Sequence, residues 1–205
     1  MDDYRAALER LGADGLLYRC FKTRAELLDE SARAPHGPVA AYVGSALPQA
    51  EEARRLAADE PFAWRLSMRA AKDRLGAAFD ALEFVEAGAG PNGEHGRLGA
   101  APGGAGDVIL ARKGLGVAYH LAVVVDDALQ GVNLVVRGAD LFDAVPVQRL
   151  LQAMLDLPAP VYRHHAVLLG PDANRYAKRD QAETLRSLRA NGLEPAALRA
   201  ELGFD

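Results

Sequence analysis

Val117-Ala118-Tyr119-His120-Leu121-Ala122-Val123-Val124-Val125, closed by Asp126-Asp127, is the stretch whose reading decides the fold. Three consecutive valines favour β-structure, because branched side chains pack well on a pleated surface. A run this apolar reads as a strand covered on both faces, as in a parallel or mixed α/β sheet. Before it, Asp107-Val108-Ile109-Leu110-Ala111-Arg112 reads as a strand, and Gly114-Leu115-Gly116 as a turn. After it, Leu134-Val135-Val136-Arg137 is a further short strand. Val145, Leu150, Leu151, Met154 and Leu155 then follow helical spacing, Pro158 and Pro160 stop that helix, and Val161 to Leu169 returns to strand. Strand, crossover helix and strand in this order define an open α/β layer architecture. Ligands of such sheets sit beyond the carboxyl ends of the strands, where this reading places Asp126-Asp127 and Arg137-Gly138-Ala139-Asp140.

The flanks are simpler. Tyr4, Ala7, Leu8 and Leu11 mark a helix over residues 3–11, and Leu16 to Phe21 a short buried strand. Thr23 with Glu26 forms a capping box for a helix reaching about Ala32, broken by Pro35-His36-Gly37-Pro38. Pro48 opens another helix through Leu56, and Phe62 to Met68 alternates as a half-buried strand. Residues 86–106 are rich in glycine and read as a long surface loop. Gln181 to Asn191 is a helix ended by Gly192, with a last short helix from Pro195.

Composition narrows the function. Hydrophobic residues make up 50% and charged residues 25% of the 205, which is ordinary for a folded domain. No apolar run reaches the ~18–20 residues that span a bilayer, and the polar start Met1-Asp2-Asp3-Tyr4-Arg5 does not read as a signal peptide. The single Cys20 cannot form an internal disulfide, so a cytoplasmic setting is expected. The net charge of −4 argues against indiscriminate nucleic-acid binding. Arg175, Lys178, Arg179, Arg186 and Arg189 nevertheless cluster, as a local RNA-facing patch or a solvated helix face.

Tyr119 can hydrogen-bond a ligand while its ring packs, or can be a core tyrosine. Arg137 can hold a carboxylate through two parallel hydrogen bonds, or can be half of a structural ion pair. Their company is more specific. Gly-Asp-Val-Ile-Leu-Ala-Arg, Tyr-His-Leu-Ala-Val-Val-Val-Asp-Asp, Val-Val-Arg-Gly-Ala-Asp-Leu and Tyr162-Arg163-His164-His165 occur in order. This series resembles the glutamyl-tRNA synthetase family of class I aminoacyl-tRNA synthetases. Arg175-Tyr176-Ala177-Lys178-Arg179 falls where that family has its KMSKS-type loop, in degenerate form. Within the family the chain is most similar to the short glutamyl-Q tRNA(Asp) synthetase branch.

The resemblance implies an α/β fold: an incomplete Rossmann-like class I catalytic domain with a small insertion subdomain. Residues 1–205 would be one partial catalytic domain. Residues 1–60 would carry a helical, degenerate zinc-insertion part, 61–170 a mixed sheet with a crossover helix, and 171–205 the KMSKS-type loop and C-terminal helices. It further implies ATP-dependent activation of L-glutamate and transfer to queuosine in the anticodon of tRNA(Asp), by a monomer. Tyr119 and Arg137 would contact glutamate and Lys178 the ATP phosphates, with no covalent protein nucleophile. Two departures stand out. The HIGH-type ATP motif at the front of the family pattern has no counterpart here, and His36 is no substitute. The chain is therefore expected to show no pyrophosphate exchange, and apolar surface on Val117–Val125 is expected to be exposed. The family's Cys-x-Cys and Tyr-x3-Cys zinc ligands are reduced to Cys20 and Tyr42, with Lys22 and Ala46 in the other two places, so zinc is expected to be lost. An inactive remnant and a tRNA- or protein-binding module are the alternative functions.

Overall fold

The computed structural model describes residues 2–23, 26, 41–114, 116–168 and 184–202. The chain divides into two compact units, Met1–His165 and Ala166–Asp205. The first contains helices α1 (Asp2–Ala13), α2 (Gln49–Ala57), α3 (Met68–Leu75), α4 (Ala77–Asp80), α5 (Tyr119–Leu129) and α6 (Val145–Met154). Its strands are β1 (Leu17–Cys20), β2 (Ala63–Leu66), β3 (Glu83–Glu86), β4 (Gly96–Gly99), β5 (Ile109–Arg112), β6 (Gly116–Val117), β7 (Leu134–Gly138) and β8 (Val161–His165). The second unit holds α7 (Leu185–Ala190), capped by Thr184 and Ser187 in a reciprocal box, and α8 (Pro195–Glu201).

Two four-stranded sheets form the first unit. One is antiparallel, in the order β1-β2-β5-β6. Asp107 ties the chain segment before α2 to it: the buried carboxylate accepts hydrogen bonds from the Tyr18 hydroxyl and the Gly44 and Met68 amides, each at 2.8 Å. The other sheet runs β4-β3-β8-β7, with β3, β8 and β7 parallel and β4 antiparallel at the edge. Helix α6 is the crossover between β7 and β8, as the sequence predicts. Its apolar face, including Val147, Leu150, Leu151 and Met154, joins Leu11, Leu66, Phe84, Leu110 and Tyr162 in one core.

The decisive stretch behaves otherwise than its valines suggest. Residues 119–129 are α5, not a strand. Leu121, Val124 and Val125 are its buried residues, at i, i+3 and i+4, and they pack in the same core as residues of α1 and α6. A half-buried strand would place Val124 and Val125 on opposite faces. Alanines and leucines around the valines tolerate the helix, and burial of one stripe outweighs the local β preference. Asp126 and Asp127 accordingly lie near the helix end rather than beyond a strand, and Asp126 accepts a hydrogen bond from the Tyr4 hydroxyl at 2.6 Å. The apolar surface expected to be exposed on Val117–Val125 is largely internal. Exposure falls instead on Leu129, Leu134 and Val136, the last two on the edge strand β7.

The glycine-rich segment 86–106 is also more ordered than a loop. It begins at the end of β3, and β4 pairs back in register from Glu83↔Gly99 to Glu86↔Gly96. The Thr23–Glu26 box forms as predicted, each side chain accepting the other's backbone amide, while the helix body beyond it lies outside the described residues. The C-terminal helix predicted from Gln181 begins only at Leu185, after the extended N-cap Thr184.

Candidate functional site

Three parallel strands deliver their last polar residues to one end of the second sheet. Arg137 on β7 is the register partner of His164 on β8, and Glu86 on β3 that of Tyr162. Parallel register puts such residues on one face, so their side chains meet. Arg137 donates from Nε to His164 Nε2 at 3.1 Å and from Nη1 to the Tyr119 hydroxyl at 3.2 Å. The opposite imidazole nitrogen, Nδ1, lies 2.5 Å from Glu86 Oε2. Because Nε2 accepts, Nδ1 carries the proton and donates to the carboxylate. Glu86 Oε1 accepts from the His164 amide at 2.9 Å and the Gly88 amide at 2.8 Å. The result is one continuous chain: Glu86, His164, Arg137, Tyr119.

Rings surround this chain. The Arg137 guanidinium carbon lies 5.2 Å from the Tyr162 ring centre, close enough for cation–π attraction. Tyr162 and His164 stack at an interplanar angle of 12°, and Phe142 meets His164 edge-on. The Tyr162 hydroxyl is fixed by the Gln152 amide of α6 at 3.0 Å. Glu86 and His164 are almost wholly buried, whereas Tyr119, at the start of α5, is 47% exposed. The site thus has a buried floor and an open rim.

Its electrostatics follow from burial and one cation. Burial alone would raise the Glu86 carboxyl, but hydrogen bonds from the His164 ring, the His164 amide and Gly88 outweigh it and hold it below the ordinary range. Burial, then the charge of Arg137, pushes His120 down. Burial raises Asp127, with Arg137 partly opposing. One donor of the guanidinium is unspent: Arg137 Nη2 is buried and has no hydrogen-bond partner among the described residues. An unpaired charged donor of this kind is costly unless an anion meets it.

The structure brings Tyr119 and Arg137 within hydrogen-bond distance of each other. Lys178 and the rest of the KMSKS-type segment lie outside the described residues. Cys20 Sγ and the Tyr42 hydroxyl are 3.8 Å apart. The Lys22 ammonium sits 5.6 Å and the Arg65 guanidinium 4.5 Å from the Tyr42 ring centre. Among the described residues no three histidine, cysteine or acidic side chains converge as metal ligands. This cationic, single-thiolate donor set does not fit a tetrahedral zinc ion. Sequence reasoning quoted His164 without a role and missed Glu86. The available signal was parity: Glu86 shares a strand face with buried Phe84, an improbable place for an unpaired carboxylate.

Comparison with known proteins agrees with this architecture. Residues 1–203 match the catalytic-domain family of class I tRNA synthetases (E and Q). The chain belongs to that family. It is 40% identical to glutamyl-Q tRNA(Asp) synthetase of Rhodobacter capsulatus over 98% of its length, covering 72% of that protein. Against the proteins of the same name from Symbiobacterium thermophilum and Nocardia farcinica it is 40% and 42% identical, and spans 59% and 58% of their lengths. The crystal structure of glutamate-tRNA synthetase from Elizabethkingia anophelis superposes with a TM-score of 0.66 at 22% identity, over 87% of this chain and 36% of that one. That likeness supports the fold.

Proposed function

We propose that this chain carries the amino-acid-binding part of a glutamyl-Q tRNA(Asp) synthetase, which activates L-glutamate with ATP and transfers it to queuosine in the anticodon of tRNA(Asp). The observation that carries the reading is the pairing of Arg137 Nη1 with the Tyr119 hydroxyl at the exposed rim, with Arg137 Nη2 left without a partner among the described residues. A carboxylate of glutamate supplies the missing acceptor, and the fixed guanidinium favours a planar anion over a neutral amide. Tyr119 orients the same ligand from the rim. Activation of a carboxylate by ATP needs alignment and charge stabilisation rather than a protein nucleophile. Lys178 is assigned to the ATP phosphates on its place in the family pattern alone. The relatives' names support the substrate and the tRNA. We also infer that the chain holds no structural zinc, since Lys22 brings an ammonium to the place of a thiolate.

Titration of the isotope-labelled chain with L-glutamate, followed by NMR, tests the carboxylate reading. Saturable shifts at Tyr119 and Arg137 are expected, with L-glutamine binding more weakly. Arg137→Ala should abolish them at unchanged fold. Binding unaffected by Arg137→Ala, or no binding by the parent chain, overturns the reading.

A further inference from the structure

We infer that Glu86 and His164 are positioning residues: a buried carboxylate–imidazole relay that sets the orientation of Arg137, and so decides where Nη2, unpartnered among the described residues, points. This rests on the reading of Arg137 as the carboxylate anchor, but the relay is defined by its own geometry.

A guanidinium on a five-bond stem has many orientations. Here Nε–H is spent on His164 and Nη1–H on Tyr119. Two bonds from one planar group fix its plane, and Nη2 is left aimed by subtraction. The first bond exists only while His164 Nε2 offers a lone pair, which requires the Nδ1–H tautomer. Glu86 imposes that tautomer, because an ionised carboxylate only accepts. Its other oxygen is held by the His164 and Gly88 amides, so it cannot turn away. Gly88 has its own reason to lack a side chain: a Cβ there would stand 2.1 Å from the His164 carbonyl oxygen.

The arrangement predicts a specific failure for Glu86→Gln. The two backbone amides demand an oxygen at the Oε1 position, so the new amide nitrogen must face His164 Nδ1. The imidazole then has to accept at Nδ1 and carry its proton on Nε2, directly against the Nε–H of Arg137. Two donors would face each other, and the guanidinium would swing. At His164 the two natural mimics separate the ends of the relay. Asparagine keeps a polar group near Nδ1 and loses the one near Nε2, whereas glutamine reaches the Nε2 position with an acceptor oxygen.

The experiment combines histidine ring-nitrogen NMR, detection of the Arg137 Nε proton, and L-glutamate titration of the full chain. In the parent protein His164, assigned by its disappearance in His164→Asn, should be the neutral Nδ1–H tautomer, and the Arg137 Nε proton should exchange slowly. His164→Asn should lose that protected proton and weaken L-glutamate binding by about tenfold or more, the effect of one charge-assisted hydrogen bond. His164→Gln should restore both. Glu86→Gln should move the His164 proton to Nε2. An Nε2–H tautomer in the parent chain, or a protected Nε proton and undiminished binding in His164→Asn, overturns the relay. If the parent chain binds no L-glutamate, the ligand assignment falls, while the tautomer and the Nε proton still decide the relay. If Glu86→Gln does not fold, the parent tautomer and the two His164 variants decide it.

Discussion

His120 sits one residue from Tyr119, half-buried, with its Nδ1 buried and unpartnered among the described residues. Burial and the Arg137 charge hold its imidazole below the usual range. The unfolded chain therefore takes up a proton as pH falls through about 6.5, while the folded chain resists it. Stability from this group is complete above that pH and is lost as pH falls toward the depressed folded value. Urea midpoints at about pH 7.5 and 5.5 should show a smaller decline in His120→Gln than in the parent chain. An equal decline would mean that His120 is not the group responsible. Glu86 has the same sign at lower pH, since its carboxyl is also depressed, so its contribution is lost only in stronger acid. Sequence could nominate Arg137 and Tyr119 through the family resemblance, since their residue types alone leave a structural ion pair and a core tyrosine open. It could not nominate the Glu86–His164 pair, because a bond across 78 residues of chain exists only once three strands are aligned.

Elements differ in how openly the sequence announces them. The crossover helix α6 was legible because its apolar residues repeat with helical period. Helix α5 was not, because three valines carry a strong local signal for strand and its N-cap residue, Ala118, gives no side-chain cap. Only the neighbours resolve it: α1 and α6 offer a surface that accepts a stripe, not a plane. The short β4 was masked by glycines, which normally weaken strands. The antiparallel sheet makes a prediction about metal. Asp107, Tyr18 and Gly44 already close it by hydrogen bonds, and the Arg65 guanidinium donates to the Asp107 carbonyl at 2.5 Å. Metal analysis of the purified protein should find no stoichiometric zinc, and a chelator should leave the melting temperature unchanged. Zinc near one equivalent, or a chelator-induced fall, would show that ligands outside the described residues complete a site.

At the scale of the whole molecule, the buried core draws every one of its described members from residues 11–162. The Met1–His165 unit is therefore expected to fold without the rest. A chain ending at His165 should keep a cooperative urea transition within about 1 kcal/mol of the full chain, the scatter typical of changes remote from a core. A molten or aggregated product would show that residues beyond 165 contribute to that core. The division into parts 1–60, 61–170 and 171–205 remains a proposal at this scale. Its last part differs from the compact unit Ala166–Asp205 by five residues at the start.

The parallel pairing of β3 with β8 also has a consequence on the ribosome. The β3–β4 hairpin can close as soon as it emerges, yet His164 follows Glu86 by 78 residues. At about 5–20 residues per second, that interval is roughly 4–16 s. Throughout it the inner edge of β3 is unpaired, and the Glu86 carboxylate has neither its imidazole nor the chain that will bury it. Ionised and hydrated, that carboxylate guards the nascent edge against pairing with other strands. The same group that orders the finished site is, for those seconds, a charge on an open strand edge.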